Sequence, residues 1–309
     1  MRKNKKKTKI LLVVIILFSF GVLLWNYRPV WLAGSLSLIT AGEGWLKHEK
    51  VVQAVFANQE QVLVAPIEGY VQIIGEGQRF RLGETVAFMT PSGVQMGAGV
   101  EKVAIVAPVS GLFFSECDGL EQIITPENFL SLDLKGLLDQ VSNSSKEDKD
   151  SSPSDSDLVG KYAPIGKIVN NLSPSWMFIY TESLAGLKKD SVTKFSIDGE
   201  DYTGRVIKLS EQPKGALVEL NQYVIGSAQE RIKSVIWNYK PSTKGLLVPL
   251  SAICSNGDVK GVYVVERGVV CFRKVEILDS NEFQACIEGI PSGIKVVTNP
   301  RKGIEGLNL

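Results

Sequence analysis

The chain offers little that could do bond-making chemistry. It holds one histidine, His48, and four cysteines, Cys117, Cys254, Cys271 and Cys286. A single histidine argues against a multi-histidine metal centre and a histidine-based triad. No two cysteines stand as C-x-x-C, which excludes a zinc ribbon and a thioredoxin-type motif. Cys271 and Cys286 are expected on consecutive strands around Asp279-Ser280-Asn281. A turn centred there leaves them several residues out of register, so isolated buried thiols are expected and a disulfide is the weaker reading. His48 sits in Lys47-His48-Glu49-Lys50 and is expected to be solvated. Glu200-Asp201 follows Asp198-Gly199, a strong hairpin signal, and reads as a solvated turn and not an acid/base pair. Lys161 to Lys167 and Lys188-Lys189 read as basic surface. No phosphate-binding loop, G-x-S-x-G or H-E-x-x-H occurs. The sequence therefore points to no catalytic residue, no cofactor and no metal. An exported enzyme would need an acid, base or nucleophile that is not visible. The 34 cations and 33 acids nearly cancel, leaving no surplus for nucleic acid.

The elements carry more information. The first nine residues hold six cations and no acid, and read as a basic cytoplasmic tail over 1–9. The apolar run from Ile10 to Trp25 follows, within a membrane anchor assigned to 10–27. At ~1.5 Å per residue such a run spans ~24 Å, a little short of a ~30 Å hydrocarbon core. Lys9 can snorkel at one end, and Trp25, Tyr27 and Trp31 suit the far interface. A cleaved signal peptide is the competing reading, but Asn26-Tyr27-Arg28-Pro29 is not a small-x-small cleavage site. Both readings export the rest of the chain.

An internal repeat comes next. Val64-Ala65-Pro66-Ile67-Glu68-Gly69-Tyr70 recurs 42 residues later as Val106-Ala107-Pro108-Val109-Ser110-Gly111-Leu112. Each copy follows a β-prone run. The proline ends a strand because it cannot donate to a ladder. The glycine is expected to permit a tight turn, and a new strand then begins. In the first copy Gly83 punctuates a stretch in which Phe80, Leu82, Val86 and Phe88 alternate with polar or small residues. Two such halves, each too small to bury its own face, are expected to pack as a flattened sandwich.

These repeats, with the G-x-x-F-x-x-G run from Gly77 to Gly83 that follows the first, resemble the lipoyl-like barrel-sandwich hybrid domain of HlyD-type membrane fusion proteins. These proteins are the periplasmic adaptors of efflux and secretion systems. Lipoyl and biotinyl domains share that fold but carry a modifiable lysine at a hairpin tip, and no such lysine is found here. Many adaptors insert a long helical hairpin between the half-motifs; here only the Gly-rich Thr90 to Lys102 intervenes, which reads as a loop. After the second half-motif, Thr125-Pro126-Glu127 reads as an N-cap with proline at N1. One or two short helices packed on the sandwich edge are expected there, with a partner-binding helix as the lesser alternative. Ser142 to Asp157 has no apolar residue and reads as a flexible surface linker.

From Leu158 short β-prone runs suggest a small barrel, starting with Gly166-Lys167-Ile168-Val169. The far end resembles the membrane-proximal domain of adaptors. It offers Val248-Pro249-Leu250-Ser251-Ala252-Ile253, then Val262-Tyr263-Val264-Val265, then Gly289-Ile290-Pro291-Ser292-Gly293 ahead of Val296-Val297. The fold class expected is mainly β: a transmembrane helix, a lipoyl-like barrel-sandwich hybrid, a β-barrel and a membrane-proximal β domain. The boundaries are 28–60 for a membrane-proximal strand segment, 61–140 for the sandwich without hairpin, 141–158 for a disordered linker, 159–240 for the barrel and 241–309 for the last domain. The motif residues are Ala65, Pro66, Gly69, Gly83, Ala107, Pro108, Gly111, Pro249, Ser251, Ala252, Gly289 and Gly293, with Ile10 and Trp25 bounding the anchor. The resemblance implies a non-catalytic adaptor at the cell membrane, its N-terminus cytoplasmic and its bulk extracytoplasmic. Its implied partners are the lipid bilayer, a cytoplasmic-membrane transporter of permease or ABC type, and further copies of itself. A cell-envelope scaffold for wall assembly or division is the alternative.

Overall fold

The computed structural model describes residues 33–93, 101–147 and 157–309. The basic tail, the apolar run from Ile10 to Trp25 and most of the acidic serine-rich tract lie outside the described residues. Among the described residues no helix is long and apolar enough to cross a membrane. The protein is mainly β, with a six-stranded barrel and a half-barrel. It divides into two units: one takes in the described residues up to His48 with Pro241–Leu309, the other is Glu49–Lys240.

The chain begins with β1 (Leu38–Thr40) and the long β2 (Gly42–Ala57). In the larger unit, β3 (Glu60–Val64), β4 (Gly69–Ile73), β5 (Arg79–Phe80), β6 (Thr85–Pro91), β7 (Val103–Val106) and β8 (Gly111–Phe114) follow. Two helices come next, α1 (Pro126–Phe129) and α2 (Leu137–Glu147), then β9 (Leu158–Val159) and β10 (Pro164–Val169). These strands make two four-stranded sheets, ordered β3-β10-β8-β5 and β7-β6-β4-β9. Each half-motif crosses from one sheet to the other, β3 to β4 and β7 to β8. Leu63, Ala65, Val71, Phe80, Val86, Met89, Ile105, Ala107 and Phe113 then share one core. The expected clasp of two arms is therefore present. Backbone bonds stitch it: Gly83 N donates to Ala107 O and Ala107 N to Glu84 O, each 2.8 Å. The run Gly166–Val169, expected to open the barrel, instead lies between β3 and β8. Its burial on both sides explains this: a central strand reads as a continuous apolar run, and such a run does not reveal which sheet it joins.

The barrel is built from β11 (Trp176–Tyr180), β12 (Val192–Ile197), β13 (Glu200–Glu211), β14 (Lys214–Leu220), β15 (Ile232–Pro249) and β2. Its order is β12-β13-β14-β11-β2-β15, closed by the pairing of Phe195 with Trp237 on β12 and β15. Phe56, Met177, Phe195, Val218 and Trp237 fill it, and the Trp237 indole N–H donates to Thr193 Oγ1 at 2.8 Å. The hairpin at Asp198-Gly199 forms as expected, both residues at positive φ (51° and 86°).

The Thr125 cap forms too: its hydroxyl accepts from Asn128 N at 3.2 Å, with Pro126 in the first turn. The helices, however, pack not on the sandwich edge but on barrel strands. Ile124, Phe129, Leu137 and Val141 share a cluster with Val55, Ala57, Phe178 and Leu217. Nor is the linker a loop from Ser142, since α2 continues to Glu147. Apolar residues of its first turns, Leu137 and Val141, are docked, and the helix carries the polar residues beyond them.

In the smaller unit β16 (Ile253–Asn256), β17 (Val259–Glu266), β18 (Val269–Lys274), β19 (Glu276–Ser280), β20 (Gln284–Glu288) and β21 (Lys295–Val297) complete the chain. One sheet runs β1-β21-β17-β16 with β18 on β17. Strands β15, β20 and β19 pair in that order. Cys271 lies on β18, opposite Val264, and Cys286 on β20, opposite Asp279 and Leu247. They are not on consecutive strands, because the turn falls at Asn281–Phe283, after a break in the run at Val275. His48 is not solvated. Alternation along β2 places it on the buried face with Leu46, 3% exposed, and its ring bonds Asp279 Oδ2 at 2.8 Å. Thr243 Oγ1 donates to the same oxygen at 2.7 Å.

Candidate functional site

The densest polar arrangement in the larger unit is a buried charge cluster. Glu60 opens β3, Lys167 lies inside β10, Asp118 and Glu121 follow β8, and Arg231 immediately precedes β15. On β10, Ile168 faces the sandwich core while its neighbour Val169 packs with Phe114 and Ala228. Alternation turns Lys167 the same way as Val169. Its Nζ reaches Glu60 Oε2 at 3.0 Å, Glu121 Oε1 at 3.2 Å and Ala228 O at 2.9 Å. The Arg231 guanidinium makes a two-pronged contact with Glu60, 2.9 and 2.8 Å, and a second with Asp118, through Nε to Oδ2 and Nη2 to Oδ1. Asp118 N donates to Glu121 Oε1 at 2.7 Å, and Phe56 N to Arg231 O at 2.8 Å.

Two cations and three carboxylates thus occupy one site, with side-chain exposures of 0–3% except for Asp118 at 19%. Burial acts to raise the Asp118 pKa, but the hydrogen bonds and charge of Arg231, with Lys167 beyond, outweigh it and hold it at about 2. Burial likewise opposes the Arg231 charge, yet Glu60 and Asp118 raise its pKa further. Burial pushes the adjacent Cys117 thiol up to about 12, with the Glu121 charge adding to it, which disfavours the thiolate. Each charged group has an internal partner, and the segments joined belong to the sandwich strands and to the barrel strand β15. The cluster ties these parts together and presents no reactive group. A neighbouring neutral set does the same: Asn58 Oδ1 accepts from Ser175 Oγ (2.6 Å) and Ser227 Oγ (3.2 Å).

Sequence reasoning missed this cluster. Lys167, read as surface, is 2% exposed. The one available signal was a lone lysine within Ile165–Val169, an otherwise apolar strand.

The motif residues fall in both units. Ala65 and Ala107 are wholly buried in the sandwich core, and Pro66 and Pro108 stand just past β3 and β7. Gly69 and Gly111 do not serve a left-handed turn. A Cβ at Gly69 would lie 2.2 Å from Thr90 O and one at Gly111 2.2 Å from Val169 O, so each is required by close approach of the next strand. Gly83 does sit at positive φ, 80°. In the smaller unit Pro249 ends β15, Ser251 is exposed on a 3-10 turn, and Ala252 joins the core. Gly289 and Gly293 adopt φ of 118° and 83°, and Gly293 N donates to Ala41 O at 2.8 Å. Ile10 and Trp25 lie outside the described residues. Among the described residues no group of three metal-ligating side chains is gathered.

No known protein-family profile matches the chain. Actin-interacting protein 1 of Drosophila melanogaster is 28% identical over 123 residues, 36% of this chain and 20% of that protein. The chain thus spans about a fifth of the curated relative it matches. Among solved structures, ZneB from Cupriavidus metallidurans is similar with a TM-score of 0.36 and 11% identity, covering 87% of this chain and 94% of that one. MacA from Actinobacillus actinomycetemcomitans has a TM-score of 0.37 and 11% identity, covering 85% and 99%. A putative efflux transporter from Bacteroides eggerthii has a TM-score of 0.28 and 15% identity, covering 86% and 95%. These structural neighbours are membrane fusion proteins, or periplasmic adaptors.

Proposed function

We propose that the chain is a non-catalytic, membrane-anchored adaptor of an efflux or secretion assembly. It docks on a cytoplasmic-membrane transporter of permease or ABC type and associates with copies of itself. The observation that carries this reading is the clasp: two Val-Ala-Pro-x-x-Gly arms, 42 residues apart, meet in one core. We read that body as the lipoyl-like sandwich, the closed six-stranded body as the adaptor barrel and the smaller unit as the membrane-proximal domain. The run from Ile10 to Trp25 is the anchor, with the basic tail cytoplasmic and the bulk extracytoplasmic. Anchoring raises local concentration, so modest docking contacts suffice for occupancy. The buried cluster suits this work, since an adaptor transmits position between partners and needs a stiff joint between its sandwich and barrel strands.

A second reading, an envelope scaffold for wall assembly or division, is favoured by one feature. Strands β6 and β7 are joined by Ser92 to Lys102, too short for the helical arm of many adaptors. In-cell photo-crosslinking from exposed positions such as Leu82 and Ile225, followed by identification of what is attached, separates the two. A transporter subunit among the products supports the adaptor; wall or division proteins without one refute it.

A further inference from the structure

In the smaller unit, neighbouring strands β2, β15, β20 and β19 share one end that carries large exposed apolar side chains. A Cβ at Gly44 would lie 2.8 Å from Leu247 Cδ1, which sets the start of β2 beside the end of β15. Pro249 pairs with Gln284, and Leu250 N donates to Phe283 O at 3.0 Å, so the turn between β19 and β20 lies at the same end. Asn281 fixes that turn. Its Oδ1 accepts from Phe283 N at 2.9 Å and from Gln284 N at 2.8 Å, and its Nδ2 donates to Lys47 O at 2.9 Å. Trp45, Leu250 and Phe283 are 61%, 38% and 76% exposed. Hairpin tips are ordinarily polar, so a phenylalanine held out at one has no part in folding the turn. The flanking exposed charges Glu43, Lys47 and Glu282 form no basic patch, so a hold built at this end is apolar.

The chain also comes to this end from its apolar run. Strand β1 passes into β2 through Ala41 alone. The run ends at Trp25, and only the seven residues 26–32 separate it from Ala33, the first described residue. Fully extended, at ~3.4 Å per residue, they reach about 24 Å. Trp25 at a lipid interface therefore keeps Ala33, and the strands it leads into, close to the headgroups. Aromatic side chains are favoured in that layer, where an apolar ring meets a wet boundary.

We infer that this end of the smaller unit enters the lipid interface through Trp45, Leu250 and Phe283, an apolar hold on the bilayer beside the anchor. This rests on the anchor reading above. If half of the exposed area of the two aromatic rings passes into lipid, residence at the surface lengthens on the order of 10²-fold. Interfacial side chains enter about 5–10 Å. The far end of the same sheet, where Glu276 pairs with Glu288, lies five residues along β20 from Phe283, about 17 Å away, and stays in water.

The test uses the full chain, reconstituted in phosphatidylcholine vesicles, with the photo-reactive residue benzoylphenylalanine replacing Trp45 or Phe283. Glu276 and Glu288 are replaced in the same way as exposed references, and Trp25 as the anchor position. Lipid adducts are counted by mass spectrometry after irradiation. The expected yield at positions 45 and 283 exceeds that at 276 and 288 by at least about fivefold and is unchanged in molar salt, since apolar contact is not screened. Yields at 45 and 283 no greater than at the references, with position 25 still labelled, overturn the second hold and leave the anchor standing. Absence of lipid adducts at position 25 as well overturns both.

Discussion

The Arg231→Met substitution tests the buried cluster most directly. In the native protein Arg231 supplies contacts to both carboxylate oxygens of Glu60 and both of Asp118, and is 1% exposed. Methionine keeps much of the volume and removes all of those donors. Three carboxylates would then share Lys167 alone, two of them at 0% and 3% exposure. Removing one partner of a buried ion pair costs about 3–5 kcal/mol, most of it from the charge left behind. Amide hydrogen exchange of β3 and β10 should accordingly accelerate by about 10²–10⁴-fold. The double variant Glu60→Gln/Arg231→Met removes one of the stranded charges and should be less destabilised than Arg231→Met. Arg205→Met, which breaks the exposed Arg205–Glu219 pair, should leave the rates nearly unchanged. An acceleration at β3 and β10 no greater than that of Arg205→Met would refute the claim that the cluster holds these strands together.

Three further outcomes follow from the same geometry. Asp118 has a folded pKa of about 2, below the unfolded value near 3.9, so its contribution is complete above about pH 5 and fades as pH falls through 4 toward 2. A pH series of urea midpoints should show about 2 kcal/mol of acid loss in the native chain that Asp118→Asn lacks. Gly69→Ala and Gly111→Ala each drive a Cβ against a strand carbonyl and should cost about 2–3 kcal/mol, whereas Gly42→Ala, with nothing within 4 Å, should be near neutral by thermal melting. The Cys117 thiol, held at about 12, should alkylate at pH 8 about 10³-fold more slowly than an ordinary cysteine, an effect that denaturation abolishes.

Patterns local to the chain were legible without coordinates. The alternation in β4, the Asp198-Gly199 hairpin, the Thr125 cap and the Val-Ala-Pro-x-x-Gly recurrence each depend on a few adjacent residues. They determined that the protein is mainly β and that two distant arms make one sandwich. Which sheet β10 joins, and which strands α1 and α2 cover, depend on partners tens of residues away. The charged cluster belongs to this second kind. Glu60, Asp118, Glu121, Lys167 and Arg231 are spread over 171 residues, and no local pattern distinguishes a lysine on a solvated edge from one sealed between two packed faces. The same holds for His48, whose polar sequence neighbours point outward while the fold brings Asp279 to its ring across 231 residues. Sequence spacing governs dihedrals and faces, which are short-range. Burial and charge pairing are set by contacts that exist once the chain has closed on itself, and tertiary structure alone decided them.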